Sequence, residues 1–450
     1  MLRIILLGLL LAGAGSAAPN VLLIYTDDHG SVDAGCYGSK DLFTPNMDKL
    51  AKAGVRFTQM LAPSAICTAS RAGLLTGNFP PRVGLAGNAG TKRGTHGLNP
   101  KHYIMPELFR DAGYRTHHVG KWHLGYTEED MPNAQGFDSS WGHMGGCIDN
   151  YSHFYYWSGP NEHDLWRDGK EIWEDGVNFG QGMVREVKVA LDQKSEKPFF
   201  IYWAINWPHY PLQGYDHWRK YYDEKGLEHP RAKYAAFLSS MDEIIGEVID
   251  HLDAQGLREE TIILLQSDHG HSVEERTFGG GGDPGPYRGH KGSFFEGGLR
   301  VPSIISWPGK LPQGEVRDAF VTGCDWFPTL AELAGAGIPA GLHLDGVSMV
   351  DVIKDASVKT PHDSWLWSFG AQSHWAVRQG DWKLIYKPRD QRNPGSLVKG
   401  QNWFLVNLAE DIGEAKNVAD AFPEKLAALK QLQAEYEASI KASLASPLGQ

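Results

Sequence analysis

The chain has 450 residues, 42% hydrophobic and 22% charged, a globular balance that excludes disorder, collagen and repeat fibres. Its 43 Lys and Arg stand against 54 Asp and Glu, a net charge of −11 that argues against a nucleic-acid binder. That sum leaves room for a small anion in one locally basic pocket. Four cysteines, Cys36, Cys67, Cys147 and Cys324, are too few for a disulfide framework in a chain of this length. If Cys67 is used chemically, at most one pair can form among the other three.

The first eighteen residues read as an address. Arg3, an apolar run over 4–14 and the small residues Gly15-Ser16-Ala17-Ala18 make a secretory signal peptide. No later stretch approaches the length of a membrane span, so an exported protein without a transmembrane segment is expected. Residues 19–26 (PNVLLIYT), 198–205 (PFFIYWAI) and 261–266 (TIILLQ) are short apolar runs that end in polar clusters. Such runs mark strands buried on both faces. Helical patterns lie between them at 46–53, 105–112, 234–255 and 327–334, which predicts an α/β fold with a mostly parallel sheet flanked by helices. From about residue 350 the pattern changes. His374–Gln379 and residues 381–387 alternate around Gly380, a short strand follows at 403–408, and residues 422–442 form a charged amphipathic helix. The expected organisation is a signal peptide over 1–18, a catalytic domain over 19–349, and a small C-terminal domain over 350–450 with an antiparallel sheet and one helix. Residues 279–292, rich in Gly and Pro, are expected to form a loop.

Ligands of such sheets bind at the carboxyl ends of the strands, where the polar clusters fall. Asp27-Asp28 and Asp268-His269 each follow a predicted strand. Neighbouring carboxylates repel, so the same construction twice favours a hard cation over two helix caps. Cys67-Thr68-Ala69-Ser70-Arg71 precedes a predicted helix. In the stretch from His118 to Gly125, Lys121 and His123 are two apart and would share one face of a strand. Arg288-Gly289-His290-Lys291-Gly292 leads to Glu296-Gly297-Gly298-Leu299-Arg300-Val301-Pro302. His209 stands in Trp207-Pro208-His209-Tyr210-Pro211, between two prolines that stiffen the backbone.

Together these stretches resemble the sulfatase family of formylglycine enzymes, over about residues 20–345. The Cys67–Arg71 stretch resembles the family's C-x-P/A-S-R signature, with Ala69 where most members have Pro. The GKWHLG, SDHG and EGGLRVP stretches match as well, as does Asp325-Trp326-Phe327-Pro328-Thr329-Leu330. The resemblance implies an alkaline-phosphatase-like sandwich and oxidation of Cys67 to formylglycine by a maturation enzyme. It also implies a divalent cation, usually calcium, held by Asp27, Asp28, Asp268, His269 and residue 67. Because calcium prefers oxygen donors and His269 supplies nitrogen, magnesium and manganese stay open. By the same resemblance Arg71, Lys121 and Lys291 neutralise the sulfuryl oxygens. A hydroxyl of the hydrated aldehyde attacks sulfur, His123 deprotonates the other, and His209 faces the bridging ester oxygen as general acid.

The implied activity is hydrolysis of sulfate esters, with sulfated carbohydrate as substrate and exo-action on galactose or hexosamine sulfate expected. A phosphonate or phosphate-ester hydrolase of the same superfamily and an inactive sulfatase-like binding protein are the alternatives. Residues 141–157 (WGHMGGCIDNYSHFYYW) carry six aromatic residues and two histidines, either a wall for a sugar ring or simply core. Asn88, His96 and His102 are further candidates for substrate contact.

Overall fold

The computed structural model describes residues 18–155, 161–370, 373–391, 397 and 402–445. The expected signal peptide falls, but for Ala18, outside the described residues. A mixed ten-stranded sheet runs in the order Glu315–Arg317, Val55–Phe57, Ser303–Ser306, Thr261–Ser267, Asn20–Thr26, Phe199–Ala204, Arg115–Lys121, Ser139–His143, Trp166–Arg167, Lys170–Glu171. The central strands from Thr261–Ser267 to Ser139–His143 pair in parallel, and most antiparallel pairs lie toward the edges. The three apolar runs are the three innermost strands, and every residue in them is buried.

Side chains of a strand alternate between its faces, and here the alternation divides one sheet between two cores. Val21, Leu23, Tyr25, Phe200, Tyr202, Ile262 and Leu264 pack on one side with residues of the helices Cys67–Thr76, Met105–Asp111 and Trp326–Ala334. Leu22, Ile24, Phe199, Ile201, Trp203, Ile263 and Leu265 pack on the other with Pro45–Lys52, Phe179–Asp192 and Arg231–Ala254. The four helices read from periodicity are present within a few residues of their expected bounds. The short edge strands carry no such run, and the sequence did not announce them.

Beyond residue 360 a four-stranded antiparallel sheet runs Ser364–Phe369, His374–Gln379, Trp382–Tyr386, Trp403–Asn407, and the helix Pro423–Ala445 packs on it. A third core joins this sheet to Leu61, Phe79, Phe294, Phe295 and Leu299 from the earlier part of the chain. All four cysteines are free thiols, so the one disulfide that the count allowed does not form. Among the described residues no helix is long and apolar enough to cross a membrane.

Candidate active site

Parallel register assembles the site. Tyr25 pairs with Ala204, Ala204 with Gly120, and Thr26 with Ser267. The residues that follow therefore emerge side by side along one edge of the sheet. Asp27 and Asp28 leave the first strand, Asp268 and His269 leave Thr261–Ser267, and Lys121 closes Arg115–Lys121. The Asp27 N–H donates to the Trp207 carbonyl at 3.0 Å and the Asp268 N–H to the Thr26 carbonyl at 3.0 Å, which fixes these ends. Gly120 is required for this spacing: its φ is +112°, and a Cβ there would stand 2.1 Å from the Ala204 carbonyl. Cys67 is the first residue of Cys67–Thr76, at the positive end of that helix.

Acidic and basic groups alternate across the buried floor. Lys121 Nζ lies 2.5 Å from Asp27 Oδ2, Lys291 Nζ 2.9 Å from Asp28 Oδ1, and Arg71 Nη2 3.1 Å from Asp268 Oδ2. Cys67 Sγ sits 3.2 Å from His269 Nε2 and 3.6 Å from Asp27 Oδ1. Burial opposes ionisation of Asp27, yet Lys121 and Arg71 hold it well below the usual carboxylate range. Burial pushes Asp28 up to about 7 against the pull of Lys291, and burial with the Asp27 charge pushes Asp268 up to about 7. Burial would discharge His269, but Asp268 and Cys67 raise it to about 9. The floor thus buries three carboxylates close together, and a divalent cation would favour their ionised forms.

Donor atoms of Asp27, Asp28, Cys67 and His269 all lie within 4.8 Å of one another and are buried, a set that fits a cation. Asp268 stands beside this group rather than in it. One of its oxygens faces Arg71, and the other accepts the Asp28 N–H at 3.3 Å and lies 3.5 Å from His269 Nε2.

His123 reaches the site by a different route from the one expected. The strand ends at Lys121, and His123 lies beyond it with φ +54°, so no shared strand face aligns the two. Its carbonyl accepts the Thr68 hydroxyl at 2.8 Å, which ties it to the Cys67 helix. A non-glycine residue held in this region is strained, a condition common at functional sites. Both ring nitrogens of His123 are buried without a hydrogen-bond partner among the described residues, and the ring lines the cavity above Cys67. Burial and then Lys121 keep the ring's pKa well below the usual histidine value, leaving a neutral imidazole able to accept a proton. His209 lines the same cavity, with Nδ1 3.0 Å from the Tyr210 carbonyl and Nε2 3.8 Å from Asp28 Oδ2. Burial and Lys291 hold it, too, well below its usual range.

The cavity has a volume of about 160 Å³, and its wall includes Asn88, Thr91, Tyr155, Tyr210, Glu274 and Arg276. Asn88, a sequence candidate, accepts the Thr68 N–H at 3.2 Å. His96 is instead 73% exposed beside Glu129 and Asp130, and neither it nor His102 lines the cavity. Of the aromatic segment 141–157, Trp141 belongs to the core and His143 and His153 are buried, while Tyr151 is exposed. Only Tyr155 among its described aromatic residues reaches the cavity, and Tyr156 and Trp157 lie outside the described residues. Thr91, Glu274 and Arg276 belong to no motif singled out from the sequence. The position of the last two, within ten residues after Asp268 at the sheet's ligand-binding edge, is the signal that could have found them.

A model of the family described as Sulfatase matches residues 19–336, and one described as N-sulphoglucosamine sulphohydrolase, C-terminal, matches residues 289–442. Human (Homo sapiens) arylsulfatase A is 31% identical over 469 aligned residues, covering 96% of this chain and 90% of that protein. N-acetylgalactosamine-6-sulfatase of Canis lupus familiaris is 32% identical, covering 77% of this chain and 69% of its own. Among solved structures, Ps i-CgsB in complex with k-i-k-neocarrahexaose superposes with a TM-score of 0.82 at 30% identity, covering 93% of each chain. With the strand-end site in the order expected of such enzymes, the chain belongs to the sulfatase family of the alkaline phosphatase superfamily and is a sulfuric ester hydrolase.

Proposed function

We propose that this chain is an exported, exo-acting sulfatase of sulfated carbohydrate, with galactose or hexosamine sulfate as substrate and formylglycine made from Cys67. The observation that carries this reading is the setting of Cys67. Burial works against its ionisation, yet Lys121 and Lys291 bring it down to about 6, so position 67 lies in a field that favours an anion. Oxidised to the aldehyde and hydrated, residue 67 would supply one oxygen to attack sulfur and a second to expel sulfate.

The remaining residues have matching tasks. Arg71, Lys121 and Lys291 converge on the floor and would offset charge on the sulfuryl oxygens. His123 would take the proton from the second hydroxyl, and His209, protonated at Nε2 once the anionic ester offsets the charge of Lys291, would give that proton to the departing alkoxide. Asp27, Asp28, His269 and residue 67, with Asp268 alongside, would hold a divalent cation that polarises a sulfuryl oxygen. Calcium is the ion proposed, with magnesium or manganese as alternatives. The N-acetylgalactosamine-6-sulfatase relative and the neighbour crystallised with k-i-k-neocarrahexaose support a sugar substrate. A cavity of about 160 Å³ suits the end of a glycan rather than a long stretch of one. Residues 1–18 would direct export, and Cys67–Arg71 would be read by a maturation enzyme.

Peptide mass spectrometry of active protein should find formylglycine at position 67, and Cys67→Ala should abolish turnover of 4-nitrophenyl sulfate. Unmodified Cys67 in fully active protein, or turnover retained in the variant, would reject the mechanism.

A further inference from the structure

Beyond the floor that faces the sulfate, the cavity carries a second set of groups. Glu274 Oε2 lies 3.7 Å from Lys291 Nζ, and Glu274 Oε1 lies 2.8 Å from Arg276 Nη2. The path therefore runs from the floor outward through Lys291 and Glu274 to Arg276, whose guanidinium stands 4.5 Å from the centre of the Tyr210 ring. Both Glu274 and Arg276 line the cavity with Cys67, with side chains 31% and 19% exposed. On the same wall Cys147, Tyr155 and Tyr210 form a small apolar cluster separate from the three cores.

These groups suit one kind of ligand. A pyranose has an apolar C–H face and an edge of hydroxyls, each able to donate and accept. The Cys147–Tyr155–Tyr210 patch answers the face. The Glu274–Arg276 pair places a carboxylate acceptor beside guanidinium donors, as two neighbouring hydroxyls require. It does not suit a second anion: Arg276 already carries a carboxylate at 2.8 Å, and an incoming carboxylate or sulfate would meet the charge of Glu274.

We propose that Glu274 and Arg276 are specificity-determining residues that bind neighbouring hydroxyls of the uncharged sugar ring bearing the sulfate ester. The inference rests on the carbohydrate reading above and narrows it to neutral hexose or N-acetylhexosamine, against uronate or a ring with a second sulfate.

The test uses the full-length, matured protein as wild type, Arg276→Ala, Arg276→Lys and Glu274→Gln. Substrates are 4-nitrophenyl sulfate and a panel of singly sulfated galactose, glucose, hexosamine and uronate saccharides, with disulfated sugars added. A hydrogen bond between a hydroxyl and a charged group corresponds to roughly ten- to hundredfold in affinity. Arg276→Ala should therefore lower kcat/KM on the preferred neutral sugar sulfate by about that factor, mainly through KM. Its loss on 4-nitrophenyl sulfate, which offers no hydroxyls, should be at least about tenfold smaller. Glu274→Gln should show the same selectivity, and Arg276→Lys should recover part of the loss. Equal losses on aryl and sugar sulfates would overturn the assignment, because a structural role moves both. A loss confined to uronates or disulfated sugars would overturn it in favour of an anion site. If wild type cleaves 4-nitrophenyl sulfate but no sulfated sugar, the carbohydrate reading fails and this inference with it. If wild type cleaves sugars and the variants are unselective, only this inference fails.

Discussion

His209 presents Nε2 to the site because Nδ1 lies 3.0 Å from the Tyr210 carbonyl, within reach to donate its hydrogen there. As the proposed acid, His209 would need a second proton at Nε2, favoured when the anionic ester offsets the charge of Lys291, and leaving groups differ in how much they need that proton. A sugar alkoxide is a poor leaving group, whereas nitrophenolate departs readily without help. His209→Ala should cost about 10²–10⁴-fold in kcat on a sugar sulfate and at least about tenfold less on 4-nitrophenyl sulfate. Lys291→Ala should slow both substrates, since the charge it is proposed to offset is on the sulfuryl group common to them. Parallel kinetics on the two substrates decide the matter, and equal losses for His209→Ala would remove its role as acid. Residues of this kind were legible because chemistry-bearing side chains fall just after apolar runs or inside motifs such as GKWHLG. Thr91, Glu274 and Arg276 were not. They come from loops without periodicity, and only the fold places them over Cys67.

Separate elements contribute the cation donors: two from the end of Asn20–Thr26, one from the end of Thr261–Ser267 and one from the start of Cys67–Thr76. A bound cation would clamp them, so its removal should lower stability as well as activity. Saturation at a hundredfold over the dissociation constant is worth about 2.7 kcal/mol. A chelator should therefore abolish turnover and lower the melting temperature, with restoration by added metal; unchanged activity in protein shown by elemental analysis to be metal-free would refute the site. A second junction binds the Lys291 loop to the C-terminal sheet. Lys383 Nζ lies 2.8 Å from Glu296 Oε1 and 3.1 Å from Glu414 Oε1, and the Glu296 N–H donates to Glu414 Oε2 at 2.6 Å. Nearby, Ser293 donates to the Arg389 carbonyl at 2.7 Å, and Arg288 Nε lies 2.7 Å from Asp390 Oδ2. Gly298 shows how tightly this loop is wound, since a Cβ there would come within 2.1 Å of the Ser293 carbonyl. Burial raises Glu414 to about 7 despite Lys383, with the charge of Glu296 adding to the rise. Folding therefore favours its protonated form. The stability from this group is fully present below the ordinary glutamate range and is lost as pH rises through about 7. Glu414→Gln mimics the protonated state, so relative to wild type it should gain on the order of 1–3 kcal/mol between about pH 4 and about pH 8. Urea unfolding at the two pH values measures this, and a constant difference between the proteins would reject it. The motif EGGLRVP was legible, but its partner Lys383 was not, because nothing in a strand sequence tells which buried carboxylate will face it.

The described residues build a ten-stranded sheet with a core on each face, and a third core that the C-terminal four-stranded sheet shares with the loop after Lys291. The innermost strands were legible from apolar runs, since a strand covered on both sides has no polar face to hide it. The edge strands were not, and the choice between core and sugar wall for the aromatic segment stayed open, because short polar strands and aromatic-rich core look alike until neighbours are placed. One feature of the site concerns time rather than space. Cys67 is 2% exposed in the folded protein, and it faces His269, 202 residues later in the chain. Asp28 waits still longer for Lys291, 263 residues on. At a synthesis rate of about 5–20 residues per second, the chain from Cys67 to His269 takes roughly 10–40 s to appear. Throughout that interval the thiol has no pocket to close over it. The oxidation proposed for it would therefore belong to the life of the nascent chain, and a variant that folded faster than a maturation enzyme could work would be stable, correctly shaped and inert.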